Sequence, residues 1–364
     1  MTEVTPATAF AGTAASHLLG WYDRHARKMP WRTGPAEKRS GVRPDPYHVW
    51  LSEVMLQQTQ VKTVRDYFLR FVQLWPTVEA LAKAESDDVM RAWAGLGYYS
   101  RARNLKKCAE VVWREHGGKF AQEINALEAL PGIGEYTANA IAAIAYDHPE
   151  AVVVDGNVER VIARLNRIAT PLAQAKTEIR ALAAELTPEH RTGDFAQAMM
   201  DLGATICTPK NPACPLCPLN KDCQAQLHGD PLNYPVKAAK QAKPKRRGAA
   251  FVALRNDGSV LLRRRAESGL LSGMTEVPTT GWTARRDGET GAQAAPFAAD
   301  WRRRGSIRHV FTHFELELEV WLAEELDGTQ PDEAAWWSPP GRLTDEALPS
   351  VMKKVIGAAI EGTF

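Results

Sequence analysis

From residue 15 to about residue 225 the apolar positions recur at the three- and four-residue spacing of buried helix faces. The clearest stretch is Asp45-Pro-Tyr-His-Val-Trp-Leu-Ser-Glu-Val-Met-Leu56. It opens with an Asp able to cap a helix and a Pro whose fixed φ suits the first helical position. Its apolar residues Trp50, Val54, Val61, Val64 and Phe68 step by 4, 7, 3 and 4, with a break expected near 57–59. Further helices are predicted over 87–94, 103–116, 136–146, 157–168 and 177–186, separated by short turns bearing Gly or Pro.

The pattern changes beyond residue 231. Between Lys237 and Arg247 six of eleven residues are basic and none is acidic, so 232–247 reads as a solvated linker. After it the period becomes two. Residues 249–254 and 259–264 flank Arg255-Asn-Asp-Gly258, which predicts a β-hairpin. Phe314, Leu316, Leu318 and Val320 alternate with Glu315, Glu317 and Glu319, the signature of a strand buried on one side, and a helix over about 349–360 closes the chain. The expected architecture is an all-α domain over 1–231, the linker, and a smaller α+β domain over 248–364.

Composition supports a folded, two-domain protein. The chain has 364 residues, 45% hydrophobic and 24% charged, which excludes wholesale disorder. Its 45 Lys and Arg nearly balance 43 Asp and Glu, so total charge neither demands nor excludes a nucleic acid. No apolar run approaches the ~18 residues of a membrane span, and the first residues lack a basic segment followed by an apolar one. A soluble, cytoplasmic protein is expected.

Four of the five cysteines, Cys207, Cys214, Cys217 and Cys223, lie within 17 residues, as C-x6-C-x2-C-x5-C. Thiolates are soft ligands, and such a cluster in a reducing compartment points to metal rather than disulfides. Zinc sites more often use two close pairs. Only one pair is tight here, which favours a bulkier iron–sulfur cluster, with a structural zinc as the alternative. Cys108 falls on a helical pattern and reads as a small buried hydrophobe.

Leu130-Pro-Gly-Ile-Gly-Glu-Tyr-Thr137 joins two helices through a turn whose backbone amides, at a helix N-terminus, suit a phosphate. Two acids stand out. Asp155 precedes Gly156-Asn157 and an amphipathic helix, where the simple reading is a helix cap. Glu53 lies at the margin of the apolar stripe that carries Trp50, where partial desolvation raises a carboxyl pKa and keeps it protonated as a general acid. Two acids in different environments suit glycosidic chemistry, one donating a proton and one staying charged. The sequence does not show that they meet.

Together these features resemble the helix–hairpin–helix DNA glycosylases, and within them the adenine-excising branch. The matching runs are Met29-Pro-Trp-Arg32, Asp45 through Gln60, Gly95-Leu-Gly-Tyr-Tyr-Ser-Arg-Ala-Arg-Asn104, the 130–137 turn, Val154-Asp-Gly-Asn-Val158 and the cysteine spacing, covering nearly all of 20–225. The C-terminal part resembles that branch's Nudix-like domain more loosely, through Gly269-Leu-Leu-Ser-Gly-Met-Thr-Glu-Val-Pro278 and Phe311-Thr-His-Phe314.

The resemblance implies a [4Fe–4S] cluster on the four cysteines and a monomer acting on duplex DNA with adenine opposite 8-oxoguanine or guanine, at the nucleoid. It implies that Glu53 protonates N7 of an extruded adenine. Asp155 would stabilise the oxocarbenium-like sugar or capture it transiently, and Tyr136 and Asn157 would orient the reacting groups. Trp31, Arg32, Leu56, Val61 and Gln197 match the adenine pocket. Gln58, Thr59, Leu96 and Tyr98 match positions that wedge into the stack and contact 8-oxoguanine. Gly132 and Gly134 match the phosphate-gripping hairpin, and Phe311, Thr312 and His313 the C-terminal reader, with Thr312 where Ser is common. Tyr136 stands where the endonuclease III branch carries a Lys that attacks the sugar, which implies a monofunctional enzyme. After Glu276 the Glu-rich box of a magnesium-dependent Nudix hydrolase is missing, so the C-terminal domain is expected to bind rather than hydrolyse.

Two rivals remain for the sequence as a whole, a thymine- or uracil-directed mismatch glycosylase and a non-catalytic damage binder. The C-terminal domain and Gln57-Gln58-Thr59 argue against the first, and the two acids against the second. Residues 33–44 form a longer loop than the resemblance leads one to expect, and 281–299 match nothing in it.

Overall fold

The computed structural model describes residues 6–237, 242–265, 269–327, 335–360 and 362–363. The chain forms two compact units, residues 1–84 with 104–240, and residues 85–103 with 241–364. The helices before residue 230 are α1 (Pro6–His25), α2 (Pro35–Arg39), α3 (Pro46–Leu56), α4 (Val61–Leu74), α5 (Val78–Lys83), α6 (Ser86–Trp93), α7 (Ser100–His116), α8 (Ile124–Glu128), α9 (Glu135–Tyr146), α10 (Gly156–Leu165), α11 (Lys176–Leu186), α12 (Thr192–Thr205) and α13 (Gln224–Leu227). None is long and apolar enough to cross a membrane.

The first unit is built around α3, α9, α10 and α12. The Asp45 carboxylate caps α3 by accepting from the Tyr47 amide at 2.8 Å, with Pro46 at the first helical position, and the helix ends at Leu56, where the pattern breaks. Eight of its eleven residues are buried, Trp50 completely. Truncating so large a core side chain to Ala costs about 3–5 kcal/mol. Helix α3 packs on α9, and α12 packs on α9, α10 and α1. The approach of α12 to α10 is close because α12 carries Gly203: a Cβ there would lie 2.5 Å from Cβ of Asn157 on α10.

Residues 33–44 are not a plain loop. They contain α2, tied down by a Lys38–Asp194 ion pair of 3.0 Å and an Arg39–Asp23 pair of 2.9 Å. Much of the expected linker is also structured. Val236 accepts from the Leu172 amide, Tyr234 is buried, and the first strand already begins at Lys245. Residues 238–241 lie outside the described residues.

The second unit contains β1 (Lys245–Ala253), β2 (Val260–Arg264), β3 (Thr275–Glu276), β4 (Arg302–Val310), β5 (Glu315–Ala323), β6 (Ala335–Ser338) and α14 (Ser350–Ala359). They make two three-stranded sheets, ordered β1-β5-β4 and β3-β2-β6. In the first, β1 runs parallel to β5 and β4 antiparallel to it. Leu316, Leu318, Val320 and Leu322 point inward as the alternation predicts and meet Val351, Met352, Val355 and Ile356 of α14. The predicted hairpin is corrected. The turn at 255–258 forms, closed by the Gly258 amide on the Arg255 carbonyl, but β1 and β2 touch through the single bridge Leu254–Val260 and then part into different sheets. A local turn signal fixes the reversal but not the partner, which the buried faces choose.

Candidate active site

The first unit encloses a cavity of about 660 Å³, within the usual range for small-ligand sites. Its wall brings together Trp31, Arg32, Glu53, Leu56, Gln58, Thr59, Val61, Gly134, Tyr136, Asp155, Asn157 and Gln197. These come from α3, α4, α9, α10, α12 and the loops that precede α2, α4, α9 and α10. The two acids separated by a hundred residues of sequence therefore face one space.

Their environments differ as glycosidic chemistry needs. Glu53 is buried inside α3, and burial pushes its pKa up to about 7, with the Asp155 charge adding and the Tyr136 hydroxyl and Arg32 opposing. The Tyr136 hydroxyl donates to Glu53 Oε2 at 2.8 Å. Asp155 caps α10: Oδ1 accepts from the amides of Asn157 and Val158 at 2.9 and 2.8 Å, and Oδ2 from Asn157 Nδ2 at 2.8 Å. Three donors fix the orientation of the carboxylate. The cap reading of Asp155 is thus correct and does not compete with a place in the cavity wall, because the cap leaves the carboxylate at the cavity's edge.

Arg32 is held by a residue the sequence reading missed. Asp201 on α12 is fully buried and accepts from Arg32 Nη1 on both oxygens (2.8 and 2.9 Å), from Arg27 Nε at 2.6 Å and from the Arg27 amide at 2.9 Å. The signal was available: Asp201 follows Gln197 by four, so both lie on one helix face. Gln197 donates through Nε2 to the Gly193 carbonyl, while its Oε1 is buried without a hydrogen-bond partner. A buried acceptor left open on a cavity wall calls for a donor on the ligand.

Gln58 lies between α3 and α4 at φ 56, an uncommon conformation for a residue with a side chain, and is exposed. The Gly132 turn has φ 75 and packs so tightly that a Cβ would lie 2.5 Å from Cβ of Asn104, whereas Gly134, the N-cap of α9, faces open space. Leu96, Tyr98, Phe311, Thr312 and His313 do not line the cavity; they belong to the second unit. Leu96 is buried and Tyr98, at φ 48, is half exposed. Thr312 and His313 are exposed at the tip between β4 and β5, above a stack of Phe311 on Phe314 with centroids 4.7 Å apart.

The four clustered cysteines all line one small void beside α10, while Cys108 is buried elsewhere in α7. Arg164 of α10 donates from Nη1 to the Cys207 sulfur at 3.2 Å. Among the described residues no three His, Cys, Asp or Glu side chains converge on a single-ion site. Four thiols around one void are the soft donor set that an iron–sulfur cluster or a structural zinc would use. The loop also reaches the active site. Arg160 donates from Nε to the Cys207 carbonyl at 2.7 Å and from Nη2 to Asn157 Oδ1 at 2.9 Å, and Asn157 in turn holds Asp155.

In the second unit the buried Glu276 is clamped by Arg263 (Nε to Oε1, 3.0 Å) and Arg265 (Nη1 to Oε2, 2.5 Å). Arg265 also stacks on Trp282 at 4.3 Å. Its one matching acid is thus spent on structure.

Comparison with known proteins agrees with this geometry. Residues 51–189 match a profile described as HhH-GPD superfamily base excision DNA repair protein, and residues 249–358 one described as NUDIX domain. The chain is 36% identical to an adenine DNA glycosylase of Homo sapiens, over 97% of this chain and 74% of that one. It is 29% identical to an adenine DNA glycosylase of Schizosaccharomyces pombe, over 94% and 88%. Among solved structures, a thermostable thymine-DNA glycosylase superposes with a TM-score of 0.52 at 27% identity, over 60% of this chain and 99% of its own.

Proposed function

The chain belongs to the adenine DNA glycosylase family of base excision repair, and on that premise we propose that its substrate is duplex DNA in which the adenine stands opposite 8-oxoguanine or guanine. The observation that carries the chemistry is the pairing of a buried, protonatable Glu53 with a capped Asp155 carboxylate on one cavity. An adenine extruded into that cavity, at a cost of a few kcal/mol, meets the open Gln197 Oε1 with its exocyclic amine and Trp31 with its ring face. Glu53 donates its proton to N7. The electrons of the bond between C1′ and N9 pass to the base, and adenine leaves neutral. Asp155, oriented by three donors, stabilises the cationic sugar until water adds at C1′ and gives up a proton to the Glu53 carboxylate. Tyr136 orients the Glu53 carboxyl, and Asn157 the Asp155 carboxylate. With no amine at position 136 the strand stays intact until alkali is added.

Cys207, Cys214, Cys217 and Cys223 would hold a [4Fe–4S] cluster, which when bound ties the thiolates of the 207–223 loop into one frame. The hairpin at Gly132–Gly134 offers amides to a DNA phosphate, and Gln58, Thr59 and Tyr98 fill the gap that base extrusion leaves. The exposed tip at Phe311–His313 reads the opposite base. That last role is tested by His313→Ala: the ratio of single-turnover adenine release opposite 8-oxoguanine to release opposite guanine should fall. Equal loss on both duplexes would remove the reader role.

A further inference from the structure

Residues 85–103 belong to the catalytic scaffold by sequence order, yet they form one compact unit with the C-terminal sheets. They carry the loop from Gly95 to Tyr99, and that loop is rigidly built. Trp93 Nε1 donates to the Gly97 carbonyl at 3.0 Å, and the Gly95 amide donates to the Tyr99 hydroxyl at 3.2 Å. Arg101 Nη2 donates to the carbonyls of Leu96 (3.1 Å) and Gly97 (3.3 Å), with its guanidinium 5.2 Å from the Trp93 ring and 5.4 Å from the Tyr98 ring. The result is a fixed backbone that displays the Tyr98 side chain, 49% exposed, in the left-handed conformation.

Just after this loop, on α7, Arg103 reaches the turn that holds Ser272. Arg103, part-buried, spreads its guanidinium over Ser272: Nη1 donates to the Ser272 carbonyl at 2.5 Å and Nη2 to its Oγ at 2.7 Å. Ser272 is buried and sits in a turn that is itself braced. Leu271 is at φ 58, Arg265 Nε holds the Leu270 carbonyl at 2.9 Å, and the Gly273 amide donates to the Arg265 carbonyl at 3.1 Å. Arg265 is the residue clamped to Glu276 at the edge of β3. A second link, Arg264 to Asp87 at 3.2 Å, is exposed on both sides and adds little. The planar fork of an Arg holds its two donors to two acceptors in a fixed geometry, which the point-like ammonium of Lys on its flexible stem does not reproduce.

We infer that Arg103 is a positioning residue for opposite-base discrimination: it fastens the Tyr98 loop to the Ser272 turn, so that this loop moves with the unit that carries the Phe311–His313 tip. The inference rests on the reading that Tyr98 and that tip face the base opposite adenine. Arg103 does not line the cavity, so its loss acts through the loop.

The test uses the full-length protein with Arg103→Ala, Arg103→Lys and Ser272→Ala. Two readouts are taken: single-turnover adenine release opposite 8-oxoguanine and opposite guanine, and amide hydrogen exchange over residues 93–102. Arg103→Ala should lower the ratio of the two rates about tenfold, the scale of a charge-assisted hydrogen bond, with release opposite guanine within about twofold of wild type. Arg103→Lys should fall in the same direction. Ser272→Ala, which removes one acceptor and is the gentler variant for folding, should show a smaller loss. Exchange over 93–102 should quicken in step. Equal loss on both duplexes, an unchanged ratio in all three variants, or unchanged exchange would overturn the inference. A wild-type ratio restored by Lys would also overturn it, since a single positive charge would then suffice, as for a phosphate contact. If the wild type itself shows no preference for 8-oxoguanine, the reading of the opposite-base site falls, and the exchange measurement alone judges the joint.

Discussion

Removing the Tyr136 hydroxyl should move the alkaline limb of the pH–rate profile upward. Base release needs Glu53 protonated, and burial sets its pKa at about 7, so the rate should fall as pH rises through that value. The Tyr136 hydroxyl lies 2.8 Å from Oε2 and opposes the upward shift. A hydrogen bond to a charged acceptor contributes roughly 1.5–3 kcal/mol and one to a neutral acceptor roughly 0.5–1.5. The difference, about 1–1.5 kcal/mol, is lost with the hydroxyl, and at 1.36 kcal/mol per unit it raises Glu53 by about one further unit. Tyr136→Phe should therefore have a lower maximal rate, because the Glu53 carboxyl is less well oriented, yet stay active to higher pH. The assay is single-turnover adenine release from one duplex at fixed ionic strength, from about pH 5 to about pH 10, fitted for the alkaline midpoint. A midpoint that stays in place, or moves down, would refute the assignment of that limb to Glu53.

The same burial makes Glu53 a liability for folding. Its folded pKa of about 7 lies above the ordinary carboxyl value of 4.5, so the destabilisation is absent below the unfolded pKa, grows as pH rises between the two values and is complete above about 7. Linkage puts it at about 3 kcal/mol. Glu53→Gln should accordingly unfold at higher urea than wild type at about pH 8 and at the same urea at about pH 4. Arg160→Ala removes the bridge between the Cys207 carbonyl and Asn157. Adenine release should fall at least about tenfold, the scale of one lost hydrogen bond to a charged donor, and iron content, measured alongside, should show whether the cysteine loop survives. Gly132→Ala meets Asn104 and a positive φ together. Its cost of about 1–3 kcal/mol should appear as weaker DNA binding in a filter or anisotropy assay, while the Glu53 midpoint stays in place.

The helical unit was legible where local chemistry decides structure. Asp45 and Pro46 start α3, the pattern break at 57–59 ends it, and Asp155 caps α10. The chemistry was legible as residue types: a carboxyl on an apolar stripe, a carboxylate at a cap, four soft ligands in one loop. What sequence spacing does not carry is which elements meet. Asp201 escaped notice because a buried acid on α12 has meaning only beside Arg27 and Arg32, and these stand some 170 residues away. The turn at 255–258 gave a hairpin on paper, but β1 found β5 as its partner. The chain-order view of domains likewise hid the grouping of 85–103 with the C-terminal sheets, within which Arg103 bonds Ser272.

The central claim, that Glu53 and Asp155 on one cavity release adenine without cutting the strand, is tested most directly by single-turnover assay of three duplexes with adenine opposite 8-oxoguanine, guanine or thymine. Wild type and Glu53→Gln are compared at one stated salt concentration, with products resolved before and after alkali. The account predicts release fastest opposite 8-oxoguanine, strand breaks only after alkali, and no release by Glu53→Gln. Strand breaks without alkali, or measurable adenine release by Glu53→Gln, would contradict it.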